Sequence, residues 1–241
     1  MTIIGPGITV GPGILFGAGS SSPLPPEPEP QPQFPNDDFS LGLAGWTVWN
    51  DQVFFTNTPF ETGYTPTTLA GFQTPVLPNP YPYGSMWPFN GWSINQTYSS
   101  ALNSDMPVGV TGQSVRLQQG IPDAGFLITN YSGAFGPAIF SNYMVTFNAG
   151  DSCRFYWRAI STTDAFNVYA YMVNVNTGAY ISLLRETAPN LSYNTNWRSQ
   201  TTVVPTAGTY KYVFVSGAWD STGGRAVGAL FAITNIERIP V

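Results

Sequence analysis

From Asn36 to the C-terminus, apolar residues recur at every second position in short runs, and helical periodicity is absent over any useful length. Trp46-Thr-Val-Trp-Asn50, Ser114-Val-Arg-Leu117, Met144-Val-Thr-Phe147 and Cys153-Arg-Phe-Tyr-Trp157 each read as a strand. So do Phe166-Asn-Val-Tyr-Ala-Tyr-Met172 and Tyr210-Lys-Tyr-Val-Phe-Val215. Turn formers separate the runs, among them Asn148-Ala-Gly-Asp151 and Asn176-Thr-Gly178. Many short strands joined by turns predict an all-β domain over residues 36–241, an antiparallel β-sandwich or jelly roll. Residues 56–113 depart from this pattern: they are rich in Thr, Pro, Gly and aromatics and alternate weakly. They are expected to form a long aromatic-rich insertion, a loop system that binds something or packs on a neighbour.

Ahead of the domain lie two other patterns. Gly5-Pro6-Gly7-Ile8-Thr9-Val10 is followed by Gly11-Pro12-Gly13-Ile14-Leu15-Phe16. In an extended chain the even positions share one face, which is apolar, while the other face is mostly glycine. Such a strip cannot fold back to cover itself. Residues 1–19 are therefore expected to be an anchoring arm that lies on another subunit through Ile4, Ile8, Val10, Ile14 and Phe16. Residues 20–35 alternate proline with Glu, Gln and Ser and predict a polyproline spacer, semi-rigid at ~3 Å per residue.

Composition narrows the function classes. The chain has 241 residues, no His, 8 basic and 13 acidic residues, and a net charge of −5. The first basic residue is Arg116, so no basic patch is available for nucleic-acid phosphates or for an anionic membrane surface. No apolar run reaches the ~20 residues of a membrane span. The apolar N-terminus lacks a basic n-region and is broken by Pro and Gly, so it does not read as a signal peptide. The lone cysteine, Cys153, leaves no intramolecular disulfide, and a Cys/His zinc site is excluded.

Without His, the Ser-His-Asp and Cys-His systems cannot be built. The acids Asp37, Asp38, Glu61, Asp105, Asp123, Asp164, Glu186 and Asp220 fall in no catalytic motif, and no enzyme is expected. No cofactor is expected either, with one exception left open. Asp37, Asp38 and Asp220 offer oxygen ligands suited to Ca²⁺ if first and last strands are neighbours, against the plainer reading of an Asx turn entering the first strand. Tyr81, Tyr83, Trp87, Phe89 and Trp92 form an aromatic group that fits a subunit interface, a glycan platform or loop packing. Trp46, Trp49, Trp157 and Trp219 read as core or sheet-face residues. Arg154 and Arg158 lie four apart in a strand and point the same way. Asn95, Asn130 and Asn190 open glycosylation sequons that would be inert in a viral or bacterial source.

Several landmarks resemble the galactose-binding-like jelly roll shared by carbohydrate-binding modules and by virion structural proteins of cyanophage-like tailed phages. They are Asn36-Asp-Asp-Phe39 before Gly45-Trp46, then Gly136-Pro-Ala-Ile-Phe-Ser141 and Phe155-Tyr-Trp-Arg-Ala159. The closing segments are Gly208-Thr-Tyr, Phe214-Val-Ser-Gly, Trp219-Asp220 and Ile233-Thr-Asn-Ile236. Relatives often read Ile-Asp-Asn-Val at the last strand; Thr234 stands at the aspartate's place, which argues against a calcium ligand there. The Gly-Pro-Gly-Ile arm is similar to N-termini of such virion proteins. The resemblance implies a virion structural protein on the particle surface, a capsid decoration (cement) protein or a small head or tail fibre. Its expected partners are its own subunits, as a trimer or small ring, and a capsid or fibre protein. The alternative is a polysaccharide-binding module acting as adhesin or receptor-binding protein on a host glycan.

Overall fold

The computed structural model describes residues 31–32, 36–49, 53–55, 96–101, 107, 109–110, 112–118, 133–161, 165–188, 193–219 and 229–241. The arm residues Ile4, Ile8, Val10, Ile14 and Phe16 lie outside the described residues. So do Tyr81, Tyr83, Trp87, Phe89, Trp92 and Asp220.

The described residues form thirteen strands and no helix. In chain order they are β1 (Gln31–Pro32), β2 (Trp46–Trp49), β3 (Val53–Phe55), β4 (Gln96–Ala101), β5 (Gln113–Gln118) and β6 (Gly133–Ser141). Then come β7 (Val145–Phe147), β8 (Ser152–Ser161), β9 (Ala165–Asn174), β10 (Tyr180–Thr187), β11 (Arg198–Val203), β12 (Gly208–Trp219) and β13 (Ala229–Ile239). All pairings are antiparallel and fall into two sheets. The first runs β11-β8-β13-β5-β4, with β1 beside β13; the second runs β10-β9-β12-β6-β2, with β3 on β6 and β7 on β12. This is an antiparallel β-sandwich of the jelly-roll type.

The alternation that marks β8 in sequence is the one that builds the core. Along Ser152–Ser161 every second residue is buried, and Phe155, Trp157 and Ala159 face the opposite sheet. The two sheets meet through aromatic rings. Phe214 of β12 packs edge-on to Phe155 with centroids 5.3 Å apart, and lies 6.3 Å from Phe231 of β13 and 6.0 Å from Trp46 of β2. Phe39 stacks on Trp46 at 5.1 Å. Each such side chain, taken wholly out of water, contributes roughly 1.5–3 kcal/mol.

The segment 36–45 closes one end of the sandwich, and Asn36 organises it. Its backbone sits at φ 74°, a left-handed value that Asn tolerates better than most residues. Its side-chain amide donates to the carbonyls of Gly42 (2.9 Å) and Ala44 (2.7 Å) and accepts from the N–H of Leu41 (2.7 Å). The buried amide is thereby satisfied, and Phe39 is directed into the core. At the same end, Asp151 ties the β7–β8 turn to the C-terminus. It accepts from the N–H of Asn148 (2.7 Å), from Arg238 Nε (2.8 Å) and from the N–H of Val241 (3.3 Å).

Among the strands not visible in the hydrophobic pattern, two fall in segments expected to be something else. β4 lies inside the segment expected to be loop, and its sequence Gln-Thr-Tyr-Ser-Ser-Ala is polar because it occupies a sheet edge. Two residues inside the expected polyproline spacer, 20–35, also pair: Gln31 stands opposite Arg238 and Pro32 opposite Glu237. Gln31 and Pro32 therefore lie beside the C-terminal end of β13.

Candidate binding face

Two sheets have two outer faces, and the faces differ. On the second sheet, the register places Val173, Tyr171 and Tyr169 of β9 beside Val213 and Val215 of β12, and these beside Phe140 and Ala138 of β6. This group forms an apolar cluster of its own, separate from the main core. All ten residues of β9 are buried, on both faces of the strand. Tyr169 and Tyr171 stack with planes 5° apart. Among the described side chains of this face, Tyr180 of β10, at the sheet edge and edge-on to Tyr171, opens to solvent at 46% exposure.

The outer face of the first sheet is partly accessible along β8 and closed to solvent over the middle of β13, where Ala232 and Thr234 are 2% and 0% exposed. β8 directs Ser152, Arg154, Tyr156, Arg158 and Ile160 outward, and all five are partly accessible. On β13 the matching positions are Leu230, Ala232, Thr234 and, after a bulge, Glu237. β5 contributes Arg116 and Gln118. The pairing sets Arg116 opposite Ala232 and Ala232 opposite Arg158, so the two arginines flank one small side chain in a single row. Arg154 Nε donates to Glu237 at 2.7 Å, an ion pair whose side chains are 27% and 19% exposed. Arg116 Nε is buried with no hydrogen-bond partner. Thr234, fully buried, donates from Oγ1 to the carbonyl of Gln113 at 2.7 Å. Thr234 is thus a bridge between β13 and β5.

The remaining expectations fall as follows. Arg154 and Arg158 do share one face. Trp46 and Trp157 are buried core residues, 5% and 3% exposed; the side chains of Trp49 and Trp219 are outside the described residues. Asp38 accepts from the N–H of Ser40 at 2.9 Å, which is the Asx turn. The carbonyls of Asp37 and Asp38 take the N–H groups of Ile236 and Gln113. The Asp37-Asp38 pair is thereby engaged in closing the sandwich, and the third acid of the calcium set, Asp220, lies outside the described residues. Among the described residues no group of three or more His, Cys, Asp or Glu could hold a metal.

Two titratable groups inside the core are chemically quiet. Burial pushes the Cys153 thiol up to about 12, and the same burial raises the hydroxyl of Tyr212 well above its ordinary value. The two touch, Cys153 Sγ lying 3.8 Å from Tyr212 Oη. Neither is a nucleophile at neutral pH.

No family model matches the sequence, and no curated protein matches it either. Solved structures of similar shape include a carbohydrate-binding module, TmCBM61, in complex with β-1,4-galactotriose. It shows a TM-score of 0.36 and 10% identity, over 88% of this chain and 99% of that one. The K1 cleaved adhesin domain of Lys-gingipain from Porphyromonas gingivalis gives 0.38 and 11%, over 85% and 96%. The enzymatically active domain of tailspike protein 4 of Bacteriophage CBA120 gives 0.38 and 11%, over 87% of this chain and 21% of that chain. The chain spans about a fifth of that tailspike domain. Likenesses at this level assign no function, and the case for one rests on the residues of this chain.

Proposed function

We propose that this chain is a non-catalytic structural protein of a virion whose β-sandwich holds a host polysaccharide on the outer face of its first sheet. The observation that carries the reading is the contrast between the two sheets. The second sheet buries tyrosines and valines on its outer face. The first presents partly open Arg, Tyr and Gln side chains on β8 and β5, in cross-strand register on either side of β13. Rows of planar and hydrogen-bonding side chains on a rigid sheet suit an extended chain of hydroxylated rings. Asp151, Glu186 and Glu237 are each paired with an arginine, which favours binding without turnover.

The arm and spacer supply attachment. Gln31 and Pro32 lie beside β13, and the apolar strip ahead of the spacer grips a neighbouring subunit of the particle, with the protein present as a trimer or small ring. The test is retention of the full chain on immobilised host-cell polysaccharide. Wild type is retained and Tyr156→Ala is not; equal retention of both overturns the assignment of the face. Deleting residues 1–19 abolishes retention on particles while sparing polysaccharide binding; unchanged retention on particles would refute the arm as anchor.

A further inference from the structure

Strand β11 closes one side of the first sheet, and among the described residues no strand lies beyond it. We infer that the N-terminal arm of a second copy of this chain adds to that edge as a further strand, joining copies head to tail. This rests on the arm as the anchor; the experiment below separates the two.

The backbone groups of a strand alternate between its two edges. Val204 N–H donates to the carbonyl of Asp151 at 2.7 Å, on the side of β8. Counting back by twos, Thr202, Gln200 and Arg198 turn their N–H and C=O groups toward β8, and Ser199, Thr201 and Val203 turn theirs away. Those three residues are exposed, Val203 at 61%. The register with β8 is unbroken from Arg198 to Val203, and residues 199–203 hold no charge, proline or bulge. These are the devices that blunt an edge strand, and an edge without them is a template for pairing. The edge facing it across the sandwich, β10, has a bulge between Ser182 and Leu184 and carries Arg185 and Glu186. The two edges meet along a seam, where Thr202 Oγ1 donates to the carbonyl of Leu183 at 3.3 Å and Arg198 pairs with Glu186 at 3.4 Å. Ile181 of β10 and Tyr193 ahead of β11 are partly buried hydrophobics at this seam, packed against the main core.

The arm fits such an edge on one side only. In an extended chain, even and odd positions send their N–H groups to opposite edges. Pro6 and Pro12 lack an N–H, and both are even. The even edge is thereby broken twice, and the odd edge keeps every donor. Each repeat supplies three consecutive odd donors, Gly5, Gly7 and Thr9, then Gly11, Gly13 and Leu15. Three is also the number of residues that β11 turns outward. With the odd edge on β11, the proline edge faces solvent and admits no further strand, so the ladder stops at one. The apolar face, with Ile8 and Val10, covers the seam.

Reach decides whose edge is filled. Gln31 pairs with Arg238, Arg238 with Cys153 and Cys153 with Thr202, which sets Gln31 three strand spacings, about 14 Å, from its own β11. The spacer ahead of Gln31, residues 20–30, spans about 33 Å at ~3 Å per residue. A stiff segment of that length overshoots its own edge and delivers the arm to the next copy. Head-to-tail contacts of this kind close into a ring.

The test uses full-length chains. One carries Gly7→Cys, a second carries Thr201→Cys, and the mixture is treated with a bismaleimide of about 8 Å reach, enough for opposed and diagonal cross-strand neighbours. The native Cys153 is buried and does not compete. The expected product is a cross-linked pair of chains, while Gly7→Cys mixed with Ser182→Cys on β10 gives nothing above background. Sedimentation velocity supplies a second reading. Thr201→Pro, which removes an N–H that faces away from β8, weakens self-association by about tenfold or more. Cross-linking through Ser182→Cys in place of Thr201→Cys overturns the choice of edge. A product formed only within a chain that carries both Gly7→Cys and Thr201→Cys overturns the second copy as donor. Loss of self-association on deleting residues 1–19, with no cross-link to Thr201→Cys and no effect of Thr201→Pro, leaves the arm as anchor and overturns β11 as its seat. Self-association and particle retention unchanged by the deletion overturn both. A wild-type far-ultraviolet spectrum and melting temperature for Thr201→Pro assign its effect to the edge; where its melting temperature falls, the cross-link decides.

Discussion

Replacing Asp151 with Asn should destabilise the domain by an amount that depends on pH. The Asp151 side chain is 2% exposed and its Oδ2 accepts from Arg238 Nη2 at 2.8 Å as well as from Nε. Burial alone would raise this carboxyl. The N–H of Asn148, the Arg238 guanidinium and the N–H of Val241 outweigh burial and hold it below its ordinary value of 3.8. Breaking a buried ion pair costs ~3–5 kcal/mol. Arg238 is 30% exposed and lies 6.0 Å from the Phe147 ring, so it can rehydrate, and the Asn carbonyl can still accept from Asn148. A cost of about 2–3 kcal/mol remains, a fall in Tm of about 5–10 °C for a domain of this size. The sign follows from linkage. A carboxyl whose folded pKa is depressed contributes its full stabilisation above the unfolded value and loses it as pH falls through the folded value. The gap between wild type and Asp151→Asn should be constant from pH 7 to about pH 5 and should narrow below about pH 4. Urea unfolding at pH 7, 5 and 3 reads it. A gap that stays flat to the lowest pH would show that the loss comes from packing and that the charge of Asp151 is irrelevant.

Asn36→Ala should cost about 3–4 kcal/mol, since three hydrogen bonds and a left-handed backbone are both affected; Asn36→Gly relieves the backbone and should recover about 1 kcal/mol of that in urea titrations. If the two variants are equally stable, the φ of 74° carries no strain. Gly112→Ala should lose about 2–3 kcal/mol, because φ is 92° and a Cβ would stand 2.5 Å from the Asp38 carbonyl oxygen; a wild-type melting temperature would contradict this. Cys153 should resist iodoacetamide at pH 8 in the folded protein and label in urea, its thiol being buried and pushed up to about 12; labelling at equal rates in both states would refute its place in the core.

The strands that could be read directly are those with one wet and one dry face, such as β8, where period two in polarity is also period two in burial. β10 was hidden by its bulge. The register shifts between Ser182 and Leu184, so the adjacent Leu183 and Leu184 both reach the core and break the alternation. β4 and β11, at opposite edges of the first sheet, carry too little apolar surface to signal a strand. The candidate face was half legible. That Arg154 and Arg158 point the same way follows from spacing along one strand. That Arg116, more than forty residues upstream, joins the same row requires β13 to pair with both β5 and β8 in one register, and no local pattern encodes it. The buried Thr234 donates across to β5, a structural role that no local pattern signals.

Hydroxyl-radical footprinting of the tyrosines, with and without bound polysaccharide, tests the central claim most directly, because the tyrosines sample both sheets and the end of the sandwich. The account predicts that glycan protects Tyr156 on the first sheet and leaves the exposed Tyr180 and Tyr143 oxidised as before. Protection of Tyr180 with Tyr156 unchanged would place the ligand on the second sheet and contradict it.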